Sequence, residues 1–138
     1  MKRYIAMIVC ALAALTEISA QKPFKCLLVD NENGIKIQLD LYEETVNVPG
    51  MEIFGPMNGY LGGNVFGIWM VTSFKVESDQ VAQLRFSNDL GSETQQARLV
   101  KKDDNTYALE LQDGVVIKKV VNKKLVKIPK DLTFAVQR

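Results

Sequence analysis

The stretch Ile35-Lys36-Ile37-Gln38-Leu39-Asp40-Leu41 alternates apolar and polar residues without a break. Successive side chains of a strand point to opposite faces, so this segment sets four aliphatics on one side and three polar groups on the other. One face is buried and one is wet, as in an antiparallel sheet. Immediately upstream, Asn33-Gly34 is the favoured pair for a two-residue type I′ hairpin. A two-residue loop there would pair Glu32 with Ile35, Leu28 with Leu39 and Cys26 with Leu41, placing apolar opposite apolar on one face. Turn chemistry and hydrophobic pattern therefore point to the same hairpin.

The pattern continues outward from this hairpin. Further strands are predicted over 68–76, 81–87, 95–102, 106–112, 115–121, 125–128 and 132–136, separated by short runs such as Asn88-Asp89-Leu90-Gly91, Asp103-Asp104-Asn105, Asp113-Gly114 and Asn122-Lys123. No stretch beyond residue 20 supports a helix of three turns. The prediction is a single all-β domain over 21–138, an antiparallel up-and-down meander of nine strands. It forms a small closed or partly open barrel, with a two-sheet β-sandwich as the alternative. The barrel is preferred because consecutive hairpins favour up-and-down order and closure removes exposed edges.

Composition limits the chemistry. The chain has 138 residues, 47% apolar and 24% charged, and contains no histidine. These figures fit one ordinary globular domain. The missing histidine removes the Ser-His-Asp and Cys-His relays, the commonest general base and the usual zinc ligand. Glu43-Glu44 and Asp103-Asp104 are adjacent in sequence, and adjacent strand residues face opposite ways, so neither pair is an acid/base dyad. There is no Asp-x-Asp-x-Asp-Gly loop for calcium, and Gly59-Tyr60-Leu61-Gly62-Gly63 lacks the spacing of a phosphate loop. A non-enzymatic protein without metal, cofactor or nucleic-acid partner is expected.

The first twenty residues read as a cleaved secretory signal. Lys2 and Arg3 precede an apolar run from Tyr4 to Leu15, and Ile18-Ser19-Ala20 forms a small-residue exit. The run falls short of the roughly 20 residues that a spanning helix needs. Export, to the periplasm or outside the cell, is the expectation, and the lack of any Asn-x-Ser/Thr acceptor favours a bacterial envelope. Cleavage would take Cys10 away and leave Cys26 alone, excluding an internal disulfide. Cys26 lies on the apolar phase between Phe24 and Leu28 and reads as a small buried hydrophobe.

The irregular segment 49–67 holds six of the nine glycines, together with Phe54, Tyr60 and Phe66. A long apolar loop of this kind either covers the core or closes over a ligand. With Trp69 just beyond it, the expectation is a Gly-rich aromatic lid in which Phe54, Tyr60, Phe66 and Trp69 contact an apolar or amphipathic small molecule. Gly67-Ile68-Trp69 at a strand start resembles the Gly-x-Trp signature of lipocalins and related calycin barrels. The resemblance rests on Gly67 and Trp69 and implies a small ligand-carrying barrel. It further implies that the Trp plugs one barrel end under a basic side chain, for which Lys127, Lys130 and Arg138 are the candidates. In that family the triplet sits on the first barrel strand, whereas here two strands and the Gly-rich segment precede it.

Charge is divided along the chain. From Gln21 to Asp113 there are eight basic and fourteen acidic residues; from Gly114 to Arg138 there are seven basic residues and Asp131 alone as acid. The alternative function is an envelope interaction module that docks a protein, lipid surface or glycan through Lys118, Lys119, Lys123 and Lys124.

Overall fold

The computed structural model describes residues 22–138. The expected signal segment and Cys10 lie outside the described residues. The described chain holds ten strands, one 3-10 turn at Glu52–Phe54 and no α-helix. In chain order the strands are β1 Lys25–Asp30, β2 Ile35–Asp40, β3 Gly59–Gly63, β4 Trp69–Val76 and β5 Val81–Asn88. They continue with β6 Thr94–Asp103, β7 Thr106–Gln112, β8 Lys118–Val121, β9 Lys124–Lys127 and β10 Asp131–Gln137.

Eight of these close a barrel in the order β1-β10-β7-β6-β5-β4-β3-β2, and β8 and β9 form a separate two-stranded sheet. Every pairing is antiparallel. The meander is up-and-down from β1 to β7, and β10 seals it by pairing with both β7 and β1. The closed barrel, rather than the sandwich, is the architecture.

Alternation decides what lies inside. Leu28, Ile37, Leu61, Leu84, Phe86, Leu99, Leu109 and Phe134 belong to one buried cluster, while Lys36, Gln38, Arg85 and Gln96 point outward or sit at the surface. An apolar interior with a polar wall is the reverse of a membrane-spanning barrel. The interior is filled by side chains, as expected for a small eight-stranded barrel. Phe24 closes one end and stacks edge-on against Tyr107 at 6.4 Å. Trp69, Ile117 and Ile128 join the cluster at the other end.

The first hairpin corrects the predicted register by two residues. Asp30 pairs with Ile35, Leu28 with Ile37 and Cys26 with Leu39, so the loop has four residues, 31–34. The Asp30 carboxylate accepts hydrogen bonds from the Asn33 backbone N–H at 3.2 Å and its side-chain amide at 2.8 Å. That holds Asn33 out of the left-handed region that a type I′ turn requires, and only Gly34 has positive φ. A shift of two keeps every side chain on its face, so the apolar match survives.

The segment 49–67 is only partly a loop. Its glycine-rich end is the barrel strand β3. A Cβ on Gly59 would collide with the Gln38 carbonyl, and one on Gly63 with the Gly34 carbonyl. These glycines let β3 approach β2 closely, at the expense of β propensity. The β3–β4 seam has two residue pairs, Tyr60 with Met70 and Leu61 with Trp69. Val46 and Val48, from the excursion between β2 and β3, pack on Tyr60 and Met70 in a second buried cluster outside this seam. The shortest seam is thus the one covered from outside.

Two smaller corrections concern boundaries. Residues 115–117 and Ile128, predicted as strand, lie just outside β8 and β9. Cys26 is half-buried against the core and faces Leu39 instead of Leu41.

Candidate functional site

Between β7 and β10 the chain leaves the wall and crosses one barrel end. Asp113 and Gly114 turn it out of β7 with φ of 55° and 79°. Gln95, 1% exposed, pins the crossing segment. Its side-chain amide donates to the carbonyls of Gln96, Gln112 and Gly114 at 3.0, 2.8 and 3.1 Å, and its oxygen accepts the Val116 N–H at 2.8 Å. Ile117 and Ile128 then drop into the core, joined by the bond from Ile128 N–H to the Ile117 carbonyl at 3.1 Å. From this plug the β8–β9 hairpin projects, tied to the neighbouring loop by the Phe66 N–H, which donates to the Lys118 carbonyl at 2.7 Å.

The hairpin turns at Asn122 and Lys123, both left-handed, with φ of 51° and 66°. It is a two-residue loop of the type I′ kind, the turn that the sequence predicts at Asn33-Gly34. Pairing sets Lys118 opposite Lys127 and Val120 opposite Leu125 on one face, and Lys119 opposite Val126 and Val121 opposite Lys124 on the other. Each face therefore carries both charge and apolar surface. Val120, Val121, Leu125 and Val126 are 40–51% exposed.

Across from the hairpin lies the loop after β5. Asn88 builds it: its side-chain oxygen accepts the Ser92 and Glu93 N–H groups at 2.9 and 3.2 Å, and its amide donates to the Ser92 hydroxyl at 3.1 Å. Leu90 at the loop tip is 83% exposed. Phe66, Trp69, Leu90 and Leu125 surround a cavity of about 150 Å³ between loop and hairpin, with Lys118 on one side and Asp89 and Glu93 on the other.

The four predicted ligand residues separate. Trp69 is buried and donates its indole N–H to the Phe66 carbonyl at 3.3 Å, so these two meet at the cavity. Tyr60 faces outward beneath Val46 and Val48, and Phe54 is exposed on the excursion between β2 and β3. The four predicted partner lysines do come together: Lys118, Lys119, Lys123 and Lys124 share one ten-residue hairpin with Lys127. Among the described residues, none of these five is in a salt bridge. Arg138 lies at the opposite barrel end from Trp69, where its guanidinium donates to the Asn105 side chain and the Asp104 carbonyl.

That opposite end carries a larger groove of about 430 Å³, lined by Lys22, Lys25, Cys26, Lys101, Tyr107 and Arg138 among others. Its chemistry is already occupied. The Cys26 thiol and Tyr107 hydroxyl both donate to the Pro23 carbonyl. Burial pushes the thiol up to about 11, and burial with the nearby Cys26 pushes the phenol up as well, so neither ionises near neutrality. Three of its four cations have partners: Lys101 with Asp104 at 3.4 Å, Lys25 with Asp40 at 4.0 Å, and Arg138 with Asn105 at 2.7 Å. At the hairpin end, by contrast, five lysines outside any salt bridge among the described residues lie beside the exposed Val120, Val121, Leu125 and Val126.

Sequence reasoning located the lysines but missed the polar fasteners Gln95 and Asn88 and the exposed Leu90, Val120 and Leu125. The signal for the last two was present. Lys118-Lys119-Val120-Val121 and Lys124-Leu125-Val126-Lys127 set like beside like along the chain, so neither strand can offer a wholly apolar face to a barrel core.

Comparison of the chain with protein-family models, curated proteins and solved structures finds no match.

Proposed function

We propose that this chain is an exported, non-enzymatic interaction module that docks on an anionic surface through its β8–β9 hairpin. The observation that carries the reading is the set of five lysines, unpaired among the described residues, on ten residues that stand outside the barrel wall. Lys118 and Lys127 are directly opposite, an arrangement that destabilises a hairpin in isolation and becomes favourable when an anion lies against it. The packed interior favours this surface role over carriage of a ligand within the barrel. The test is retention on a dextran sulfate column. The wild type should be held at low salt and released as salt rises, because exposed charges are screened over about 10 Å at 0.1 M. Changing Lys118, Lys119, Lys123 and Lys124 together to Gln should abolish retention; equal retention of both proteins would refute the reading.

The cavity lined by Phe66 and Trp69 supports a narrower second reading, in which it takes one small apolar group. Titration of Trp69 fluorescence with fatty acids and aromatic compounds tests it, and an unchanged spectrum throughout would dismiss it.

A further inference from the structure

We infer that the hairpin face carrying Val120 and Leu125, with Phe66 and Leu90 across the cavity, is an interfacial anchor that seats on an anionic lipid bilayer. This rests on the docking reading and names its partner.

Charge alone does not account for this end of the molecule. Leu90, Phe66, Val120 and Leu125 are 83, 62, 51 and 50% exposed, and three of them meet at one cavity. Apolar side chains gathered in this way mark a contact surface, unlike single exposed aliphatics. An acidic protein tract or a glycan would neutralise the lysines and leave these groups in water. A second copy of the chain would set lysine against lysine. A bilayer interface offers both halves at once: phosphates for the ammonium groups and an acyl boundary for the apolar side chains. Lysine suits that boundary because its long stem lies along apolar surface while the charge stays with the headgroups. Asp89 and Glu93, on the far rim of the cavity, oppose close approach on that side, so the contact tilts toward the hairpin. The seat is superficial. Among the described residues no helix is long and apolar enough to cross a membrane, and the barrel wall turns polar groups outward.

The experiment is co-sedimentation of the protein with phosphatidylcholine vesicles, with and without phosphatidylglycerol, run beside the dextran sulfate column. Wild type should sediment with the anionic vesicles and stay in solution with the neutral ones. Each lysine removed should weaken anionic-vesicle binding about fivefold, the change expected from one basic residue near a charged surface. Leu90→Ser with Leu125→Ser, both at exposed positions that the fold does not need buried, should weaken vesicle binding about tenfold and leave dextran sulfate retention unchanged. Retention on dextran sulfate without vesicle binding would overturn the lipid assignment while sparing the docking reading. Failure on both would remove both. Unaltered vesicle binding by the double serine variant would overturn the apolar seat.

Discussion

Replacing Gln95 by leucine should unfasten the end of the barrel that carries the hairpin. The buried amide makes four contacts, three from its nitrogen to carbonyls and one from the Val116 N–H to its oxygen. It has two N–H groups for three carbonyls, so the loss amounts to roughly three effective hydrogen bonds. At roughly 0.5–1.5 kcal/mol each, the cost is about 2–4 kcal/mol. Leucine fills similar volume, so little cavity cost is added. The Val116 N–H is the group left stranded, which places the damage where the chain enters the hairpin. Urea unfolding followed by the buried Trp69 should show this loss, and the melting temperature should fall by about 10 °C for a domain of this size. Gln95→Glu gives a sharper signature. The introduced carboxylate would be buried against three carbonyl oxygens, so its folded pKa lies above the ordinary value of about 4.3. A raised folded pKa makes the penalty full above that value and lets it fade as pH drops from there to the unfolded value of about 4.3, so this variant should recover stability as pH falls toward about 4.3 while the leucine variant does not. A loss below about 1 kcal/mol for Gln95→Leu would refute the assignment of Gln95 as the fastener.

Other perturbations probe the rest of the structure. Gly63→Ala should destabilise by more than about 2 kcal/mol by urea titration, because φ is 98° and the new Cβ meets the Gly34 carbonyl. Partial desolvation pushes the Asp40 carboxyl up, but hydrogen bonds from the Thr45 hydroxyl and the Glu43 and Tyr42 N–H groups, with nearby Lys25, hold it below the ordinary value. A depressed folded pKa stabilises above the unfolded value near 3.9 and fades below it, so Asp40→Asn should lower the melting temperature most above about pH 5 and least near pH 3. The Cys26 thiol, half-buried and raised to about 11, should react with iodoacetamide at neutral pH far more slowly than a free thiol; equal rates in folded and urea-unfolded protein would contradict this.

Much of the fold was legible because alternation is a strong signal wherever one face is buried. Strand β7, at Thr106–Gln112, has the boundaries that its pattern predicts, and β5, β6 and β10 differ by one residue at one or both ends. Strand β3 was hidden for a physical reason: close approach to β2 demands glycine at Gly59 and Gly63, and glycine carries no β signal. The hairpin register was missed because the Asp30 carboxylate competes for Asn33, a side-chain effect that the Asn-Gly pair does not reveal. At the candidate site, the lysines were visible as a charge excess. Their convergence with Phe66 and Leu90 was not, since these residues lie on three segments that only barrel closure brings together.

The central claim is that the hairpin end, and not the groove at the other end, meets an anionic surface. Backbone amide shifts recorded while an anionic bicelle is added decide between them. Changes should concentrate at Phe66, Leu90 and residues 118–127, with Lys25, Lys101 and Arg138 unmoved. Changes centred instead on Lys25, Cys26, Lys101 and Arg138 would contradict the account.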